Sequence, residues 1–402
     1  MLIEPKVRGF ICTTAHPIGC AARVAEQIDY VRHQPKLPAK FKNVLVIGAS
    51  TGYGLASRIV SSFSMGANTL GVFFEREAAD KRTASAGWYN SAAFEQAAHK
   101  AGLYARSLNG DAFSDAMKQQ VIDCIRNDLN GKVDLVIYSL ASPRRQDQTG
   151  TVYSSTLKPI GNPYTDKTVD IMNGVVSNVH LEPATEAEIV ATEKVMGGED
   201  WELWIDALIN ANVLAPNAVT VAYSYIGPTM TYPIYHEGTI GRAKLHLEKS
   251  AHAINERLAK HCNGRAVVSV NKALVTQSSS AIPVVPLYIS ILYKVMKQKN
   301  LHEGCIEQIW RLFAEDLCSG TYKLDESQRI RLDNLELRED IQAEVLKIWQ
   351  QIETDNLETN SDIEGYRKEF YQLFGFAVDN VDYATDVDVN VNVPSIHLET
   401  TE

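Results

Sequence analysis

Short apolar runs alternate along this chain with stretches whose apolar positions recur every three or four residues. The runs read as buried strands: NVLVIGAS (43–50), TLGVFFE (69–75), LYARSLN (103–109), VDLVIYSLAS (133–142), NAVTVAYSYIG (217–227) and RAVVSVNKALVT (265–276). Helical patterns lie between them, among them 54–65, 91–101 and 115–129. Strands apolar on both faces and separated by helices predict an α/β protein, a doubly wound parallel sheet with helices on each side. From Ile240 onward the apolar positions Ile240, Ala243, Leu247, Ala251, Ile254 and Leu258 step by three and four. That spacing predicts a helix starting near Thr239, with Thr239 as its N-cap.

The interval 151–200 has few regular signals and several Pro and Gly residues, and reads as an insertion over one end of the sheet. After about residue 300 the pattern becomes mainly helical. The expectation is one enlarged domain over 1–402, with a core at roughly 40–300 and a helical C-terminal extension at roughly 300–402. There is no internal repeat and no low-complexity linker. Past Lys368 the chain has no Lys or Arg, and the acidic segment DNVDYATDVDVNVNV (379–393) alternates like a strand on the surface. Between Lys272 and Lys294 no residue is charged, but Thr276, Gln277, Ser278, Ser279, Ser280, Pro283 and Pro286 interrupt the apolar run. A spanning helix needs about 18 continuous apolar residues. The stretch therefore predicts a buried strand followed by a core helix, and no membrane span.

Composition narrows the class without naming a chemistry. Hydrophobic residues make up 45% and charged residues 22% of 402, an ordinary globular balance. A net charge of −10 argues against nucleic acid as a partner, because phosphate neutralisation needs clustered Lys and Arg. The cysteines, Cys12, Cys20, Cys124, Cys262, Cys305 and Cys318, form no CxxC pair. They read as reduced thiols of a cytoplasmic protein, with no metal expected. MLIEPKVRGF carries charges where a signal peptide would be apolar.

Candidate chemistry begins where the first strand runs into GASTGYG, with Gly48, Gly52 and Gly54. A tight strand-to-helix turn lets backbone N–H groups approach a pyrophosphate, and the helix N-terminus adds a favourable dipole. Glycine is needed where a Cβ would block that approach. Glu75 ends the second predicted strand, 21 residues after Gly54, where an acidic side chain reads the ribose 2′-hydroxyl. Its charge repels a 2′-phosphate, which predicts NADH over NADPH. Asp111 follows the third strand and either reaches the adenine or serves as a turn residue. Ser139, Leu140 and Ala141 end the fourth strand, where the chain passes the cofactor.

At the reacting end, Tyr223 and Tyr225 lie two apart on the fifth strand and share a face. Tyr235 and Lys244 follow, with eight residues between them. On one continuous helix that offset turns about 180°, so the two groups would point apart. Gly238 and Gly241 favour a loop that ends at the helix start, with Tyr235 before the helix and Lys244 in its second turn. A nearby ammonium lowers a phenol's pKa, and a positioned hydroxyl stabilises a developing oxyanion. Tyr232 competes with Tyr235 for that role; His236 and Glu237 read as loop residues.

GASTGYG, SLAS and the Tyr before Lys resemble the Rossmann-type short-chain dehydrogenase/reductases. More closely, the whole chain resembles the enlarged enoyl thioester reductases of the FabV type, also called trans-2-enoyl-CoA reductases. The resemblance rests on RGFICTTAHPIGC (8–20), FFERE (73–77), GWYNSAAF (87–94), YSLASPRR (138–145), MGGEDWELWIDAL (196–208), the Tyr-x8-Lys spacing and GFAVDNVDY (375–383). It implies NADH-dependent reduction of the trans-2 double bond of an enoyl thioester, the last step of the fatty acid elongation cycle. Tyr235 would then be the proton donor, Lys244 a catalytic and cofactor contact, and Tyr225 a substrate contact. The implied cofactor contacts are Gly48, Ala49, Ser50, Thr51, Gly52, Tyr53, Gly54, Phe74, Glu75, Asp111, Ala112, Ser139, Leu140 and Ala141, with Ala273, Leu274 and Val275 along the nicotinamide. The apolar helix after Pro286 would border the acyl chain. The carrier, acyl carrier protein or coenzyme A, stays open; Arg144 and Arg145 either meet its phosphate or are solvated. The resemblance further implies a monomer. Two rivals stand beside it: a 3-oxoacyl (carbonyl) reductase on the same scaffold, and an NADH-binding sensor without turnover.

Overall fold

A computed structural model describes residues 1–80 and 82–396. Its centre is a seven-stranded sheet: β1 (Asn43–Ile47), β2 (Asn68–Phe73), β3 (Ala105–Asn109), β4 (Val133–Tyr138), β5 (Leu214–Ser224), β6 (Arg265–Val270) and β7 (Arg329–Arg331). Every neighbouring pair is parallel, in the order β3-β2-β1-β4-β5-β6-β7. This is the expected Rossmann-type doubly wound arrangement. Alternation explains why its strands are apolar throughout: Val44 and Val46 enter the core on one face, Leu45 and Ile47 the core on the other. Helices Pro17–His33, Gly52–Met65, Ala86–Lys100 and Val285–Gln298 cover the first face; Asp115–Asp128, Glu199–Asn210 and Thr239–Cys262 cover the second. Strand order reverses between β1 and β4, and the crevice at the carboxyl ends of such a switch point is where ligands bind.

Several expectations need correction. Six strands form where apolar runs were read, but five end earlier than expected: β1 at Ile47, β2 at Phe73, β4 at Tyr138, β5 at Ser224 and β6 at Val270. The residues beyond them are loop rather than ladder, buried after β6 but exposed at Phe74 and Ala141. The region after residue 300 is not purely helical, because Arg329–Arg331 adds the edge strand β7. The 151–200 interval contains a hairpin, Tyr164–Asp170 with Val175–Leu181, and helix Glu186–Met196 with a capping box of Thr185 and Glu188. A smaller hairpin pairs Arg144–Gln146 with Val152–Ser154. The acidic tail keeps its alternation, with Val387, Val389 and Val393 buried. It forms no strand; it runs extended, and the carbonyls of Val389 and Val391 accept from the Tyr89 hydroxyl (2.8 Å) and the Trp88 indole (2.7 Å).

Between Lys272 and Lys294 the chain leaves β6, passes through buried loop, and enters the almost fully buried helix Val285–Gln298. No described helix is long and apolar enough to cross a membrane.

Candidate active site

Each glycine of the first strand-to-helix turn has a separate physical reason. Gly48 sits at φ 85°, and a Cβ there would lie 2.4 Å from the Ser139 carbonyl oxygen. The turn can therefore press β1 against the end of β4. A Cβ on Gly54 would lie 1.8 Å from the Gly48 carbonyl oxygen, which fixes the close approach of helix Gly52–Met65. Gly52 differs: its φ is 53°, and a Cβ would meet nothing within 4 Å. The space it leaves is open, above a helix start that no side chain caps. Uncapped N–H groups and an open glycine face make an anion cradle. Ala49 and Ser50 are buried beneath it, while Thr51 and Tyr53 are half-buried.

Glu75 lies two residues past the end of β2, not on the strand. Its carboxylate accepts from the Ser50 hydroxyl at 2.7 Å, and its backbone N–H donates to the Asn109 side chain at 2.8 Å. Helix Ala86–Lys100 passes so close that a Cβ on Gly87 would lie 2.0 Å from Glu75 Oε1. Phe74 beside it is 78% exposed, an apolar face open to a planar ring. Asp111 is exposed and its carboxylate accepts from the Phe113 N–H at 3.0 Å, a turn-residue role. Ala112 is buried, and its carbonyl accepts from Trp204 Nε1 (3.1 Å) and the Lys118 ammonium (3.3 Å). That ammonium is buried on Asp200 at 2.9 Å, and Asp200 also accepts from Tyr138 at the end of β4. Ser139 and Leu140 are half-buried and Ala141 is exposed along the crevice. The cradle, the carboxylate and the exposed ring fit an NADH molecule.

Tyr225 is the first residue beyond β5, and Tyr235 sits in a turn before helix Thr239–Cys262. Gly238, not Thr239, is the N-cap; Thr239 is the first helical residue. The Thr239 hydroxyl donates to the Thr156 carbonyl and its N–H to the Lys158 carbonyl at 3.0 Å, so the insertion is clamped to the reacting-end loop. A Cβ on Gly241 would lie 1.9 Å from the His236 carbonyl oxygen, so the turn folds back over the helix start. Tyr235 is 6% exposed, and its ring meets that of Tyr225 edge-on at 4.8 Å. Its hydroxyl makes no hydrogen bond among the described residues. Tyr232 stacks on His236 at 4.6 Å and stays apart from this pair, while Glu237 is exposed.

The Lys244 ammonium donates to the Tyr223 carbonyl at 3.2 Å, at the end of β5. Burial lowers its pKa to about 8, against the pull of Glu248. No hydrogen bond joins Lys244 to Tyr235 among the described residues, and the expected acidification of the phenol is absent: burial pushes Tyr235 upward. The phenol stays protonated, the state in which it can donate to an oxyanion. Ala273, Leu274 and Val275 follow β6 as buried loop; the Val275 N–H donates to the Tyr293 hydroxyl (3.0 Å) and the Leu274 carbonyl accepts from Ser279 (2.6 Å). Arg145 is neither solvated nor free for a phosphate: it is buried against Glu199 at 2.7 Å. Arg144 is exposed.

Tyr53, expected as a cofactor contact, donates its hydroxyl to the Lys272 carbonyl at 3.0 Å, joining the glycine turn to the segment after β6. One participant escaped the sequence reading. Glu336 is fully buried and accepts from the Tyr225 hydroxyl at 2.9 Å. It stands in LELRED, a stretch that reads as a solvated helix start, so no local pattern marks it. Among the described residues no group of His, Cys, Asp and Glu is arranged to hold a metal ion.

The chain is similar along its length to known proteins. Residues 2–80 match the family described as "NAD(P)H binding domain of trans-2-enoyl-CoA reductase", and residues 82–318 match "Trans-2-enoyl-CoA reductase catalytic region". An enoyl-[acyl-carrier-protein] reductase [NADH] of Coxiella burnetii is 60% identical over 398 residues, 98% of each chain. A trans-2-enoyl-CoA reductase [NADH] of Ruminiclostridium cellulolyticum is 56% identical over 99% of this chain and 100% of its own. The crystal structure of Clostridium acetobutulicum trans-2-enoyl-CoA reductase in complex with NADH superposes with a TM-score of 0.94 at 46% identity, covering 97% of this chain and 98% of that one.

Residues 324–387 match a third family, described as "Enoyl reductase FAD binding domain". The residues there do not fit FAD. The segment has two glycines, Gly365 and Gly375. A Cβ on Gly375 would lie 2.5 Å from both Cys20 N and His16 O, and one on Gly365 would lie 2.2 Å from Asp362 Oδ2. Both glycines pack the chain against itself, and neither follows a strand. The three-residue β7 leads into a 3₁₀ turn, Leu332–Asn334, with no glycine cradle for a pyrophosphate.

Proposed function

We propose that this chain, which belongs to the trans-2-enoyl-CoA reductase family, reduces the trans-2 double bond of enoyl thioesters with NADH, using Tyr235 and Lys244 as its catalytic pair. The observation that carries the residue assignment is the Tyr225–Tyr235 ring pair at the carboxyl end of β5, with Lys244 anchored at the same strand end. When bound, NADH supplies a hydride to the β-carbon of the enoyl thioester. Negative charge then builds on the thioester oxygen as the α,β double bond becomes an enolate. Tyr235, held protonated by burial, donates a hydrogen bond to that oxygen, and uptake of one proton at the α-carbon then converts the enolate to the saturated thioester. Lys244 contributes positive charge and holds the nicotinamide ribose. Tyr225 orders the substrate end of the pocket through its edge contact with Tyr235. The Gly48–Gly54 turn receives the pyrophosphate, and Glu75 with Phe74 receives the adenosine end. Ala112 and Ser139–Ala141 line the middle of the cofactor, and Ala273–Val275 its nicotinamide.

The reaction fits the final step of a fatty acid elongation cycle. A monomer in the cytoplasm is the finer reading; all six cysteines are free thiols, which supports a reducing compartment. The decisive assay follows NADH oxidation with crotonyl-CoA, the same acyl group on acyl carrier protein, and acetoacetyl-CoA. Oxidation with either enoyl thioester and none with the 3-oxoacyl thioester supports this reading. The reverse pattern supports a carbonyl reductase, and NADH binding without oxidation a sensor.

A further inference from the structure

Glu336 makes three contacts that converge on the reacting end from a segment whose family description points to a different cofactor. One carboxylate oxygen accepts from Tyr225 at 2.9 Å and from Tyr288 at 2.7 Å. The other accepts from the Ala273 backbone N–H at 2.7 Å. The side chain is 0% exposed, so every donor it has is a protein group. A buried carboxylate persists only when its lone pairs are filled and a counter-charge stands near. Lys272 supplies that charge. It is 3% exposed, donates to the Ala273 carbonyl at 2.9 Å, and sits 4.8 Å over the Tyr293 ring. The backbone of Glu336 is held in turn, its carbonyl accepting from Gln342 at 2.7 Å.

We infer that Glu336 is a positioning residue for the reduction: one carboxylate fixes the Tyr225 hydroxyl and the Ala273 backbone at once, and so sets the distance between the phenol pair and the nicotinamide segment. This rests on the reading of Tyr225, Tyr235 and Ala273–Val275 given above. The carboxylate is suited to the task because it accepts on both oxygens. Glutamine cannot replace it. With its oxygen toward the two phenols, its NH₂ faces the Ala273 N–H, donor against donor; turned over, it leaves Tyr225 without its acceptor. The 324–387 segment thereby acquires a role in this reaction, through a side chain rather than a second cofactor.

A double-mutant cycle tests it on the full-length enzyme with crotonyl-CoA and NADH. Glu336→Gln is expected to lose about tenfold or more in kcat, because small misplacements at a reacting centre cost that much. NADH affinity, read by quenching of protein fluorescence, is expected to stay within about twofold. In a Tyr225→Phe background the same substitution should cost less than in the wild type, since only the Ala273 hold is then at stake. Should Glu336→Gln fail to fold, Glu336→Asp, which keeps the charge one methylene short, takes its place in the cycle. The inference is overturned if the Glu336 variant keeps its kcat, or if its loss multiplies in full with that of Tyr225→Phe. Wild-type turnover in both Tyr225→Phe and Tyr235→Phe would instead overturn the site reading beneath it.

Discussion

The rings of Tyr225 and Tyr235 meet edge-on, 4.8 Å between centroids at 86°, although nine residues of loop and turn lie between them in sequence. Of the two hydroxyls, that of Tyr225 is committed to Glu336, whereas that of Tyr235 has no partner among the described residues. A hydroxyl so placed is left to donate to a ligand. Tyr235→Phe is therefore expected to lose about 10²–10³-fold in kcat, the usual result of deleting one oxyanion donor. NADH affinity and thermal midpoint should hold, because no protein hydrogen bond is lost. Steady-state turnover with a fluorescence titration checks both; unchanged turnover discards Tyr235.

Gly48 and Gly52 both carry positive φ, yet they predict different phenotypes. At Gly48 a methyl meets the Ser139 backbone at 2.4 Å, so Gly48→Ala must push β1 and β4 apart and should lower the thermal midpoint sharply. At Gly52 the methyl meets open space, and only the left-handed backbone costs, about 1–2 kcal/mol. Gly52→Ala should remain folded but lose NADH affinity by about tenfold or more, because the methyl occupies the pyrophosphate's approach. Melting curves with and without NADH separate the two cases. A Gly52→Ala protein that NADH stabilises as well as it does wild type would move the cradle elsewhere.

The sheet was readable because a parallel strand buried on both faces leaves an unbroken apolar run. Its limits were less so: in NKALV after Val270, loop residues are buried as deeply as strand residues, and in SLAS after Tyr138 an apolar pattern continues into half-buried and exposed loop, so apolarity alone cannot place the strand ends. Arg329–Arg331 was invisible for the opposite reason, being three residues long with two arginines. At the site, GASTGYG and Glu75 declare themselves through spacing along the chain. Glu336 acts through contacts with Tyr225 and Ala273, 111 and 63 residues away, which local patterns do not encode. The bent Tyr235–Gly238 turn was accessible from helix arithmetic, but the insertion's clamp on Thr239 was not.

Glu75 is the residue proposed here to choose between NADH and NADPH. Ser50 donates to it and Gly87 leaves room for it, so its carboxylate is fixed and near the open crevice. Glu75→Ala is expected to narrow the NADH preference, as the ratio of kcat/KM values, by at least about tenfold, chiefly by admitting the 2′-phosphate. Gly87→Ala tests the same point from behind: its methyl would displace the carboxylate and raise KM for NADH with kcat little changed. A preference for NADH that survives Glu75→Ala would assign the discrimination to another group.

The pH dependence of Lys244 has opposite signs for stability and for activity. Burial holds its pKa at about 8, with Glu248 opposing, whereas an unfolded lysine titrates near ~10.4. Between those values the folded chain carries fewer protons than the unfolded chain, so this group's contribution to stability rises with pH and is least favourable below about 8. The ammonium itself, to which the proposed mechanism assigns the ribose and the developing enolate, is lost across the same interval. kcat/KM should therefore fall as pH rises through about 8 while this group lends the fold more stability, not less. Lys272 is also depressed to about 8, but its ammonium is engaged behind the site with Ala273 and Tyr293. Lys244→Arg decides between them: a guanidinium stays charged across the range, so the alkaline limb should move upward in that variant. A limb that stays in place would hand the titration to Lys272 and remove Lys244 from the proposed catalytic pair.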